Sequence, residues 1–586
     1  MGLQLPITQW LPRYNRQSLS HDVTAAVFLT IMLVPQSLAF ALLAGLPAQV
    51  GLYACLLPLL LYTLFGTSQT MSVGPVALIA LMTAATLGPL YSLGSAEYLT
   101  GAVLLAFLSG AMLIVMGLLR LGFLANFLSH PVISGFITAS ALVIIASQLQ
   151  HLLGLDSRGH NLIGIGSTLW QQLSQVHGLT LVMSAGVLLF LLLARTLLAP
   201  ALQALGLAER SAAIISKSAP IVAVLGATLL TWGLDLQARG LAVVGEVPRG
   251  LPPLSLPPLA WEQWQPLWLG ALLIAVVGFV QSLSVAQMLA ARKRQHVDPN
   301  QELLGLGVAN LGAGFSSGMP VMGSLSRSVM AYDAGARTPA TGAFTALAIA
   351  LATLFLTPAI AYLPIATLAA IIIVSVASLV DIAAIKRTFH YGRPDFIAML
   401  ATLVLTLVHS VATGLMVGVG LSLALYIYRT SNPHTAVLGR VPGTEHFRNT
   451  ERHRVEVYPD FALLRVDESL YFANARFLED TVMTLVSEKP QLKDLVLVCP
   501  AVNLIDASAL DSLDNINARL QDAKVRLHLS EVKGPVMDQL NRTHFPATLT
   551  GQVFLSTYAA WCALRPEPGD ASSTHTSNNI SDNNNP

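Results

Sequence analysis

The chain has 586 residues, 54% of them hydrophobic and only 11% charged, where about 25% charged is usual for a soluble domain. That composition excludes an ordinary soluble globular protein and makes the lipid bilayer the expected solvent for most of the chain. A formal net charge of +1 offers no basic footprint, so no nucleic-acid partner is expected.

The charges are unevenly placed. Residues 1–429 carry 30 Asp, Glu, Lys or Arg side chains, and the last 157 residues carry 33. The step near Arg429 divides the chain into an N-terminal segment (1–21), a membrane part (22–430), a linker (431–454), an aqueous domain (455–565) and a tail (566–586). The first residues are polar and lack a short apolar run with a small-residue cleavage site, so no cleavable signal peptide is expected. Cys55, Cys499 and Cys562 are far apart and match no metal or disulfide spacing.

No Asp, Glu, Lys or Arg stands between Asp22 and Glu97, or within 263–291, 303–326, 338–380 and 396–428. An ionisable group at the bilayer centre costs at least ~2.5 kcal/mol and a spanning helix needs ~20 apolar residues, so these gaps are read as membrane. Pro and Gly divide the membrane part into fourteen helical segments. They run at about 22–42, 50–66, 74–91, 98–119, 123–149, 179–197, 211–233, 265–291, 300–316, 323–334, 339–358, 364–384, 394–410 and 412–429. With a cytosolic N-terminus, fourteen Lys and Arg fall on the inner side against Arg158, Arg239 and Arg249 outside. The positive-inside rule then puts both termini in the cytosol. Gln36-Ser37-Leu38 recurs as Gln281-Ser282-Leu283, and Gln49, Gly66 and Gly74 have the spacing of Gln301, Gly318 and Ser326. Seven spans per half would give two repeats of opposite topology, a recurrent transporter plan.

After Arg429, FALLRV (461–466) and LVLVCP (495–500) read as buried strands and VRLHLS (525–530) as an alternating one. Helical stretches near 475–488, 507–522, 533–543 and 555–564 make this a small α/β domain. The tail beyond Arg565 is rich in Ser, Thr and Asn, a composition that predicts disorder.

Two segments interrupt the helical pattern inside the apolar region. Gly66 to Pro75 precedes one uncharged helix and Gly318 to Arg327 precedes another. Pro75 suits the first helical position. If both helices begin at mid-membrane, their free N–H groups and positive dipole ends form an anion site. Ser324 and Ser326 would add hydroxyl donors. Arg327 has no charged residue for 24 positions before it, and an intramembrane arginine is a functional hypothesis by default. The competing reading pairs it with Asp333 or Glu302, or sends it to the cytosolic surface. Gln36 and Phe40 share a helix face: either they line a substrate cavity, or they are a satisfied core glutamine and a lipid-facing ring. His130, His151 and His409 stand singly, so they read as interfacial or structural residues, and no metal site is expected. No nucleophile elbow, P-loop or HExxH motif occurs, so an enzyme is not expected and no catalytic residue is assigned.

The runs PQSLAFALLAGLPAQVGLYACLLPLLLYTLFGTSQTMSVGP (35–75) and NQELLGLGVANLGAGFSSGMPVMGSLSRSVMAYDAGARTPATG (300–342) resemble the signatures of the sulfate permease (SulP) family of anion transporters. VNLIDASALDSL (502–513) resembles part of the STAS domain that ends most members. The resemblance implies fourteen spans in two inverted seven-span repeats, split into core and gate domains, and a homodimer. It implies an anion held between the third and tenth helix N-termini. Lining it would be Gln36 and Phe40 from the first helix, Val73 and Gly74 from the third, and Ser324, Leu325, Ser326 and Arg327 from the tenth. Many bacterial members carry a coupling glutamate on the eighth helix; the matching position here is Gln281, whose amide does not titrate. Exchange, sodium coupling or a displaced proton site therefore stay open, and no cofactor is implied. Ser508, after Asp506, matches loosely the phosphorylated Ser or Thr of some STAS relatives, with a helix N-cap by Asp506 as the alternative.

The expected function is secondary active transport of a small inorganic anion across the inner membrane, with sulfate favoured over bicarbonate, chloride or dicarboxylate. A nucleobase-type carrier is a second reading. A membrane-anchored STAS signalling protein with a cytosolic protein partner is a third.

Overall fold

A computed structural model describes residues 5–565, apart from 128, 156–160, 207–208, 210–211, 213–215, 217, 246–249, 259 and 356. Arg158, Arg249 and the tail 566–586 therefore lie outside the described residues. The chain divides into two compact units, Met1–Ser422 and Leu423–Pro586.

The first unit is helical. Eight helices among the described residues are long and apolar enough to cross a membrane, including Arg16–Leu43, Ala96–Leu118, His130–Leu153 and Trp268–Lys293. Ala77–Leu87, Ala219–Gly233 and Ala340–Phe355 are shorter apolar helices. Several expected segments are shaped differently. The 50–66 segment is two pieces, Ala48–Tyr53 and Leu57–Phe65. The 364–384 segment stops at Ala377. It is followed by the separate helix Ile382–Tyr391, N-capped by Asp381 through a 2.8 Å bond from the Ala384 N–H. That helix carries Lys386 and Arg387, so a search of charge-free runs does not find it; Leu162–Gln172 is a further helix outside the expected segments.

Backbone-to-backbone packing holds the core of this unit together. A Cβ on Gly51 would lie 1.9 Å from the Ser37 carbonyl oxygen, so only glycine lets the Ala48 helix meet Arg16–Leu43 there. Gly110 and Gly307 do the same for Ala96–Leu118 against Pro299–Phe315: a Cβ on either would come within 3.0 Å of the other's carbonyl. Small residues at such crossings are the usual means of close helix approach in lipid.

Both helix breaks lie in this core. Val73–Gly74 (β1) and Met322–Gly323 (β2) pair antiparallel, Val73 opposite Gly323 and Gly74 opposite Met322. This ladder displaces the helix start. The first break helix begins at Ala77 with Val76 as N-cap, so Pro75 stands outside the helix and not at its first position. Pro disfavours helical backbone in the residue before it, which suits the extended Gly74. The second break helix is Leu325–Ala334 with Ser324 as N-cap.

Buried polar side chains take up the backbone groups that the breaks leave free. Asn310 clamps Val321, donating from Nδ2 to its carbonyl and accepting its N–H at Oδ1, both at 2.9 Å. Ser282 Oγ accepts the Gly323 N–H at 2.9 Å. Glu302, fully buried, accepts from Tyr62 Oη at 2.8 Å, the Thr67 N–H at 2.8 Å, the Ser68 N–H at 3.1 Å and Thr67 Oγ1. Asp22, also fully buried, accepts from the Arg337 and Thr338 N–H groups and the Thr338 and Thr341 hydroxyls ahead of helix Ala340–Phe355.

The second unit is a six-stranded sheet covered by helices. Its strands are Thr435–Arg440 (β3), Phe447–Asn449 (β4), Phe461–Val466 (β5), Asp494–Val498 (β6), Arg526–Ser530 (β7) and Val553–Phe554 (β8), in the order β4-β3-β5-β6-β7-β8. The β5 to β8 pairs are parallel and β3 pairs antiparallel with β4 and β5. The expected linker 431–454 thus carries two strands, and the sheet begins at Thr435. Helices Ala475–Glu488 and Ala507–Asp522 pack their leucines on one face, and Trp561 fills the other against Phe461 and Val496. β7 does not alternate as expected, because His528 is buried as well. Its Nδ1 accepts the Gln552 N–H, so Nε2 donates to Asp494 Oδ1 at 3.0 Å. Burial works to raise the Asp494 carboxyl, but hydrogen bonds from His528 and Arg526 and their charges hold it below the usual range.

The Glu302 brace makes a prediction. Glu302→Gln replaces one acceptor oxygen with a donor facing buried donors, so stability should fall by about 1–3 kcal/mol. Thermal unfolding of the purified full chain checks this, and an unchanged midpoint would mean that Glu302 does not brace the break.

Candidate functional site

The antiparallel ladder brings the two break helices together at their N-terminal ends. Ser324 N–H donates to the Ser72 carbonyl at 3.0 Å, and Ser72 N–H donates to Ser328 Oγ at 3.0 Å. The first-turn N–H groups of Ala77–Leu87 and Leu325–Ala334 have no intrahelical partners. Neither N-cap side chain bonds to its own helix. Two positive dipole ends therefore lie beside the same short ladder.

Arg327, in the first turn of the second helix, is fully buried. Its Nη1 donates to Gln36 Oε1 at 3.3 Å. Nε and Nη2 have no hydrogen-bond partner among the described residues. The alternative pairing with Glu302 is not what the structure contains, since Glu302 accepts from Tyr62, Thr67 and Ser68. Nor does the guanidinium reach a surface. A cation taken out of water without a counter-ion costs several kcal/mol, and the two helix ends add to that cost. Charge, dipoles and free donors all favour an anion here.

The other expected lining residues divide into two groups. Gln36, Phe40, Val73, Gly74 and Ser324 are buried. Of these, Gln36 and Gly74 lie against the guanidinium: a Cβ on Gly74 would be 3.3 Å from Arg327 Nη2. Leu325 and Ser326 are exposed, and Ser326 Oγ lies 3.4 Å from Ser324 Oγ. Gln281 is half-buried on Trp268–Lys293, with Oε1 unpartnered among the described residues. Ser508 belongs to the second unit, exposed in the first turn of Ala507–Asp522. Asp506 caps that helix, accepting the Ala509 N–H at 2.9 Å.

Sequence reasoning missed Cys55 and Leu33. Their side chains would be 3.7 and 3.6 Å from a Gly74 Cβ, on the same side as Arg327. Neither had a local signal, because an apolar residue in an apolar run looks like any other. Asn310 was also missed, although an asparagine in an otherwise apolar helix segment is a visible anomaly.

Gly74 supports a second prediction. Gly74→Ala needs no change of backbone conformation, but its methyl would press on Nη2, which has no partner among the described residues. Anion affinity should fall roughly tenfold, about 1.4 kcal/mol, with little change in the unfolding midpoint. Calorimetric titration of the purified variant measures the first and thermal unfolding the second; unchanged affinity would remove Gly74 from the site.

Comparison with known proteins identifies the family of the chain. The model of the sulfate permease family matches residues 19–402, and that of the STAS domain matches residues 452–560. Sulfate transporter 4.1, chloroplastic, of Arabidopsis thaliana is 33% identical over 539 residues, 90% of this chain and 77% of that protein. A probable sulfate transporter of Mycobacterium tuberculosis is 33% identical over 529 residues, 90% of this chain and 92% of that protein. Among solved structures, murine Solute Carrier 26 family member A9, an anion transporter in the inward-facing state, superposes with a TM-score of 0.86 at 23% identity, covering 95% of this chain and 93% of that one. The transmembrane domain of the cyanobacterium bicarbonate transporter BicA has a TM-score of 0.59 at 22% identity, covering 70% of this chain and 99% of that one. At these identities the two structures establish a shared fold. The chain is a multi-pass membrane protein of the sulfate permease family, ending in a STAS domain.

Proposed function

We propose that this protein carries sulfate across the cell's inner membrane by secondary transport with alternating access. The observation that carries the reading is Arg327, buried between two helix N-termini with Nε and Nη2 unpartnered among the described residues. A site of this kind suits a small anion, and the relatives reported above bear the names of a sulfate transporter and a probable sulfate transporter. Sulfate is a dianion rich in acceptors, so it can engage both guanidinium donors and the first-turn N–H groups together. Bicarbonate, chloride and dicarboxylates are the competing substrates.

The same proposal includes fourteen spans in two inverted seven-span repeats, cytosolic termini and a homodimer. The STAS domain would regulate transport through a cytosolic protein partner, outside the anion path. Gln281 bears on coupling. An amide has no proton to exchange near neutral pH, so this position does not couple transport to protons. Exchange, sodium coupling or a proton site elsewhere stays open, and Gln281 Oε1, unpartnered among the described residues, is the kind of oxygen ligand a sodium ion takes.

Tracer uptake into proteoliposomes tests the reading. The full chain should take up labelled sulfate saturably, without stimulation by an imposed proton gradient. Arg327→Ala should lose about 1.5–3 kcal/mol of sulfate binding while keeping its elution profile. Undiminished uptake by folded Arg327→Ala would overturn the assignment of the site, and strong proton-driven uptake would overturn the account of Gln281.

A further inference from the structure

The hydrogen bonding of Arg327 is lopsided in a way that bears on which anions the site accepts. A guanidinium is planar and has two donor edges. Nε–H and Nη2–H point the same way along one edge, as a two-pronged fork, and Nη1 lies on the Cδ side. Nη1 is the atom engaged by Gln36, at 3.3 Å. Nε and Nη2 are the two without a partner among the described residues. The free donors are therefore one complete fork.

Gln36 is itself 3% exposed and belongs to the helix Arg16–Leu43. A guanidinium has no acceptor, so the amide must present Oε1 to it and its orientation is chemically fixed. The neutrality of this partner matters. A carboxylate here would cancel the charge of Arg327 and draw the fork into a bidentate pair of its own. A carbonyl oxygen holds Nη1 without neutralising the cation. Gly74 completes the arrangement, because it has no side chain beside Nη2.

We infer that Gln36 is a positioning residue that turns the Arg327 fork toward the anion, so that the site favours oxyanions over halides. The reason is geometric. Two parallel N–H groups match two oxygens on one central atom, as in a sulfate-type or carboxylate-type anion. A halide is a single centre and gains little from the second prong. This inference rests on the proposed reading that Arg327 binds the transported anion.

The test uses the purified full chain, titrated calorimetrically with sodium sulfate and with sodium bromide. Gln36→Met removes the acceptor at nearly constant volume, and Gln36→Glu keeps an acceptor but adds a charge. Gln36→Met should weaken sulfate about tenfold, as expected for one lost hydrogen bond to a charged group, and bromide much less, so the sulfate-to-bromide ratio falls. Gln36→Glu should weaken both anions by more than Gln36→Met does, because the fork is captured. Equal losses of sulfate and bromide in Gln36→Met, or no loss of sulfate, would overturn the positioning role while leaving Arg327 as the anion ligand. Intact sulfate binding by Arg327→Ala would overturn the underlying reading as well. A Gln36→Glu protein that binds sulfate as the unmodified chain does would also sink the inference, since it would show that the fork is not captured.

Discussion

A fully buried guanidinium with one neutral partner is the feature on which the rest of this membrane unit depends. Arg327 is held between two helix N-termini whose dipoles repel it. Left to itself such a group would find a carboxylate or water. Among the described residues, the fully buried carboxylates of this unit, Glu302 and Asp22, are each taken up by other donors. The strain is local and electrostatic, and on the proposed reading an anion relieves it. On the proposed reading, selectivity for negative charge comes from an unfavourable protein arrangement that its ligand completes.

Keeping that arrangement requires a stiff frame. Two-residue strands are too short to be stable alone, so the β1–β2 ladder relies on what surrounds it. Asn310 fixes Val321, Ser282 fixes Gly323, Ser328 fixes Ser72, and Glu302 holds the chain just after Gly66. Gly51, Gly110 and Gly307 let the supporting helices touch backbone to backbone. Proposed binding residues and bracing residues therefore alternate along the same segments. Arg327 bonds to Gln36, and Ser328 one residue on serves the brace.

The helix breaks and the isolated arginine were legible in the sequence; their wiring was not. The breaks at 66–75 and 318–327 were legible because Gly, Ser and Pro interrupt apolar helix patterns, and Arg327 because no charge stands near it. The bond from Arg327 to Gln36 was not, since it joins residues 291 apart in sequence and either partner could have bonded elsewhere. Glu302 was suspected as a partner of Arg327, and only tertiary structure shows its carboxylate turned to Thr67 and Tyr62. The strands β1 and β2 are too short to show a period, which is why Pro75 was placed inside a helix that starts at Ala77. In the STAS domain β5, β6 and the covering helices were legible from their apolar runs. β3 and β4 were hidden by the polar residues of 435–449.

The most direct test of the central claim is to locate the anion itself. Selenate has the shape and charge of sulfate, and its selenium scatters anomalously. Crystals of the full chain grown with selenate should show one selenium peak beside the Nε and Nη2 edge of Arg327, next to Gly74 and the Leu325 helix start, and this peak should vanish in Arg327→Ala. A peak at another place in the membrane unit, or one that persists without the arginine, would contradict the account.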